Sequence, residues 1–87
     1  MLDKNELISY QNDVYSILKW WVNASVYVHI NGEDELVAVI KKKGVKIIYK
    51  KPNISDYIVA SERDVTTVAR EAYNLFFEQV KEEFFYF

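Results

Sequence analysis

The spacing of apolar residues changes twice along the chain, and each change marks a boundary between helix and sheet. From Leu7 the apolar positions recur at Tyr10, Val14, Ile17, Leu18 and Trp21, the spacing of one helix face. From Ser25 the period falls to two, with Val26, Val28 and Ile30 alternating with Tyr27 and His29. After Ser61 the helical spacing returns in Val65, Ala69, Ala72, Phe76 and Val80. A helix-period pattern does not settle as a strand, nor the reverse, so an α+β fold follows.

Local signals refine the boundaries. Asp3-Lys4-Asn5-Glu6 has capping-box spacing, which starts a helix over about 4–22. Asn31-Gly32, extended by Glu33-Asp34-Glu35, separates strands at about 25–31 and 36–42, and Lys43-Gly44 is a tight turn before a third strand at 45–51. Pro52-Asn53 breaks that strand, and the run over 57–60 is compatible with a short fourth strand on an edge. Ser61 as N-cap, with acids in the first turn, opens a helix over about 62–85. The predicted order is α-β-β-β-(β)-α, an antiparallel meander with a helix at each end of a single domain over 1–87.

Composition narrows the function. The chain has 87 residues, of which 51% are hydrophobic and 28% charged, a globular balance. It contains no cysteine, which removes thiolate catalysis, disulfides and cysteine-ligated metals and fits a cytoplasmic location. The polar N-terminus lacks the order of a secretion signal, and no apolar run is long enough to cross a bilayer. The one histidine, His29, has no nucleophile beside it on its strand: Ser25 on the same face lies about 13 Å away at strand rise, and the sequence gives no reason to bring another serine to it. Neither glycine sits in a phosphate loop, and the 33–35 acids lack calcium-loop spacing and read as a solvated turn. The expectation is a protein without catalytic residues, metal or cofactor.

Two surfaces carry the alternatives. Six of the eleven cationic residues fall between positions 41 and 51: Lys41, Lys42, Lys43, Lys46, Lys50 and Lys51. A two-residue turn at Lys43-Gly44 sets Lys41 opposite Lys46, a like-charge pair that a bound phosphate backbone would relieve. The plain alternative is that these lysines protect strand edges and are screened by solvent. The element order resembles that of double-stranded RNA-binding domains, whose second helix opens with a lysine cluster. Here the corresponding stretch, Ser61-Glu62-Arg63-Asp64, is acidic and lacks that grip. Val45–Tyr49 followed by Asp56–Asp64 is similar in pattern to the strand-strand-helix stretch of sterol-carrier-type domains, which implies an apolar ligand between sheet and helix.

The second surface is aromatic. Seven of the fourteen aromatic residues lie in the last fifteen positions: Tyr73, Phe76, Phe77, Phe84, Phe85, Tyr86 and Phe87. The apolar arc of this helix spans about 200°, about twice what one sheet face requires, so it has a second neighbour: the first helix or another subunit. Glu83 interrupts the inward side, leaving Phe84, Phe85, Tyr86 and Phe87 either folded over the sheet or presented to a partner. Trp20 falls on the polar side of the first helix, either as a binding anchor or as a cover for the base of the sheet. Both sheet faces are partly apolar, Ala38, Ile40, Ile47 and Tyr49 on one and Val37, Val39 and Ile48 on the other. Either a helix on each face or a homodimer would cover them. The expected function is a protein-interaction domain of adaptor or inhibitor type that self-associates. Nucleic-acid binding through the lysine ribbon is the alternative, and apolar-ligand carriage a minor one.

Overall fold

The computed structural model describes the backbone of residues 2–85 and the side chains of residues 2–81. Helix α1 covers Lys4–Trp21. Its start is a complete capping box: the Glu6 N–H donates to Asp3 at 2.8 Å, and the Asp3 N–H donates to the Glu6 carboxylate at 3.3 Å. Tyr10, Val14 and Leu18 are fully buried, so the i, i+4, i+8 row is the inward face.

Strands β1 (Ser25–Ile30), β2 (Leu36–Lys42) and β3 (Val45–Lys51) form one antiparallel sheet in that order. In the β1–β2 loop the Asn31 side-chain oxygen accepts from the N–H groups of Glu33 (3.0 Å) and Glu35 (3.1 Å). The β2–β3 turn is the expected two-residue one, with Lys43 (φ 48°) and Gly44 (φ 86°) both left-handed and Lys41 opposite Lys46. Positive φ at both central positions matches the right-handed twist of the flanking strands.

The run over 57–60 is a helix, not a strand: α2 covers Ile54–Ala60. Ile54 and Ile58, one helical turn apart, are both buried, whereas Val59 is 62% exposed. Packing of that pair overrides the strand preference of Ile58 and Val59. The helix has no side-chain cap of its own. Asp34 supplies one from the β1–β2 loop, accepting from the Ser55 N–H at 3.2 Å and the Ser55 hydroxyl at 2.6 Å. Asp34 is therefore a structural cap and not merely part of a solvated turn.

Helix α3 covers Val65–Phe85, starting later than the sequence suggests. Ser61 ends α2 instead of capping α3, and Glu62 and Arg63 turn the chain in left-handed conformations (φ 55° and 66°). Arg63 N–H returns to the Ile58 carbonyl at 2.9 Å, closing α2 with a Schellman-type bond. Asp64 then caps α3 through the Thr66 N–H (3.1 Å), the Thr67 N–H (3.3 Å) and the Thr67 hydroxyl. The Thr67 bond is the largest cause holding the Asp64 carboxyl below its ordinary range.

Both long helices lie on one side of the sheet and pack on each other. Tyr10 donates to the Asp64 carbonyl at 2.8 Å, and Arg63 pairs with Asp13 at 2.9 Å. Further along, the rings of Trp21 and Tyr73 meet edge to face at 5.9 Å. The two helices therefore run parallel, and α3 continues past the end of α1. Between them and the sheet, Tyr10, Leu18, Leu36, Ile40, Ile54, Ile58, Val14 and Val68 are fully buried. Those side chains occupy the layer where an apolar-ligand cavity of the sterol-carrier kind would sit.

Candidate functional site

The two-residue period of the strands sorts the lysines. Leu36, Ala38, Ile40, Ile47 and Tyr49 face the helices. Lys42 and Lys51 share that side and are partly buried. Lys51 is engaged there, 3.5 Å from Glu71 and 4.4 Å from the centre of the Tyr57 ring. Tyr49 donates to the same carboxylate, and burial, reinforced by that hydrogen bond, pushes its phenol above the ordinary range. Burial likewise raises the phenol of Tyr10. Lys43 sits in the turn. The predicted basic ribbon is therefore divided between two faces and a turn.

Lys41, Lys46 and Lys50 project from the opposite face, which no helix covers among the described residues. Strand register arranges that face in three rows: Ser25–Lys41–Lys46, Tyr27–Val39–Ile48 and His29–Val37–Lys50. Tyr27 is 57% and Ile48 49% exposed. The Tyr27 and His29 rings lie side by side, with centroids 6.1 Å apart. A shallow cleft of about 380 Å³ opens at the turn end, lined by Ser25, Lys41, Lys43 and Lys46 among others. Of the two alternatives for this face, one helix on each side is thus corrected among the described residues: the second apolar row is an exposed strip in a basic frame.

A second surface lies where α1 ends. Trp20 is 86% exposed, so it does not cover the base of the sheet. Trp21 leans on Tyr73, which stacks on Phe77 with centroids 6.1 Å apart. Trp21, Arg70, Tyr73 and Asn74 line an open cleft of about 400 Å³. Phe84 and Phe85 have side chains outside the described residues, and Tyr86 and Phe87 lie wholly outside them.

Reasoning from sequence missed Tyr27 and His29 as surface residues, although their alternation with Val26, Val28 and Ile30 carried the signal. It also missed the pairing of Trp21 with Tyr73, which depends on the parallel packing of two helices distant in sequence. Among the described residues no group of three or more His, Asp or Glu side chains is placed to hold a metal ion. No helix among them is long and apolar enough to cross a membrane. Comparison with protein-family models, curated proteins and solved structures gave no match.

Proposed function

We propose that the chain is a small non-enzymatic protein-interaction domain, working in the cytoplasm, that associates with a second copy of itself along α3. The observation that supports this reading is the divergence of two stripes on that helix. The inner stripe, Val65, Val68, Ala69, Ala72 and Phe76, packs into the core and then turns polar at Gln79 and Glu83. The outer stripe, Tyr73, Phe77 and Val80, borders the core, with Tyr73 and Val80 half-buried against it, and continues in sequence at Phe84 and Phe87 with alternating steps of four and three. That is the repeat of a helix seam facing another helix. Trp21 covers Tyr73, but α1 stops there, and Phe77 is already 42% exposed. From Tyr73 to Phe85 the helix runs about 18 Å farther.

Light scattering across a dilution series tests this. The expected result is a concentration-dependent dimer that Phe77→Glu converts to monomer without altering the circular dichroism spectrum. Trp20→Ala measures whether the exposed indole adds to the same contact. A monomer at every concentration overturns the reading.

A further inference from the structure

We propose that the uncovered face of the sheet binds single-stranded nucleic acid, with Tyr27 as a stacking platform and Lys41, Lys46 and Lys50 as phosphate contacts. This surface is separate from the α3 seam, and neither reading depends on the other.

Charge selects the occupant. The nine side chains of the face include three lysines and no carboxylate. Among the described residues none of those three lysines makes an ion pair, whereas Lys51 on the other face is paired with Glu71. Lys41 and Lys46 stand directly opposite each other, an arrangement that costs stability unless an anion lies between them. Two copies stacked through this face would bring these lysines together, so self-association does not relieve the charge. A polyanion does.

The layout selects among polyanions. Lys46 and Lys50 are four residues apart on β3, about 13 Å at strand rise, and the Tyr27–Val39–Ile48 row crosses the sheet between them. A strand crossing the face would thus meet positive charge on both sides of an apolar row. Flat, exposed rings on an open sheet stack unpaired bases, which a duplex keeps inside its helix. The adjacent Tyr27 and His29 rings offer that surface. A plain acidic peptide would use the lysines but gain nothing from an aromatic ring. The acids Glu33 and Glu35 lie beyond the His29 row, in the β1–β2 loop, which confines the ligand to the face itself.

The test is fluorescence anisotropy of the full chain with a labelled oligo(dT). At low salt binding is expected, with a log–log salt slope of about −2 from three phosphate contacts at about −0.7 each. Between about 50 and 200 mM salt the affinity should then fall roughly twenty-fold. Tyr27→Ala should weaken binding about ten-fold, and Tyr27→Phe should retain it. Joint replacement Lys41→Gln, Lys46→Gln and Lys50→Gln should abolish it. All four positions are exposed, so melting curves confirm that the variants fold. Measurement on Phe77→Glu keeps the outcome independent of self-association. The proposal is overturned by absence of binding at low salt, by binding indifferent to Tyr27→Ala, or by polyglutamate competing as well as unlabelled oligonucleotide.

Discussion

Asp34 and Ser55 lie 21 residues apart, yet the carboxylate of one accepts both the N–H and the hydroxyl of the other, at 3.2 and 2.6 Å. The Asp34 carbonyl also accepts the Ile54 N–H at 3.0 Å. The first turn of α2 thus hangs from the β1–β2 loop, at the end of the sheet where β3 leaves it. Asp34→Ala should cost about 2 kcal/mol, from the lost cap and a left-handed φ of 59° that alanine disfavours. Asp34→Asn, which keeps an acceptor and tolerates that conformation, should cost less than half as much. Thermal melts distinguish them, and equal stability of both variants with the parent would refute the capping role.

Glu62 closes α2 in a left-handed conformation that favours glycine, and its side chain is exposed. Glu62→Gly should therefore raise stability by about 0.5–1 kcal/mol, read as a higher melting temperature. A lower one would mean that the side chain has a role the backbone geometry does not show.

Tyr10 and Tyr49 have phenols raised by burial, the second also by its bond to Glu71. Because the folded value lies above the unfolded one, their stabilisation is complete below about pH 10, the unfolded-chain value. It is lost as pH climbs through the folded values. Tyr10→Phe and Tyr49→Phe should each flatten the alkaline limb of the stability curve. Unfolding followed by circular dichroism between neutral and strongly alkaline pH checks this, and an unchanged limb in both variants would contradict it.

Much of the fold was readable because period and turn chemistry agreed. The capping box at Asp3, the Lys43-Gly44 turn and the 41–46 register depend on neighbours in sequence, and the structure has all three. What was not readable depends on distant partners. Over 57–60 the residues favour a strand locally, and only burial of Ile54 and Ile58 against the rest of the fold makes them helical. Ser61 and Asp64 are both good caps, and the left-handed pair between them leaves the capping of α3 to Asp64, while the Ser61 hydroxyl accepts from the Asp64 N–H. At the candidate surfaces, lysine count suggested one basic ribbon, but strand alternation sends Lys51 to Glu71 and leaves Lys41, Lys46 and Lys50 on the open face.

The parallel docking of α1 and α3 also bears on how the chain reaches this state. Tyr10 and Asp64, joined by a hydrogen bond, are 54 positions apart. The meander can zip up locally, but one wall of its interior is missing until α3 arrives. A chain emerging from the ribosome would carry Leu18, Ile40 and Ile47 incompletely covered until α3 had been made. Closure of that long loop is the expected slow step, because its entropy is lost before the contacts form. Destabilising changes at Val68 or Ala72 should then slow folding more than equally destabilising changes in the β2–β3 turn.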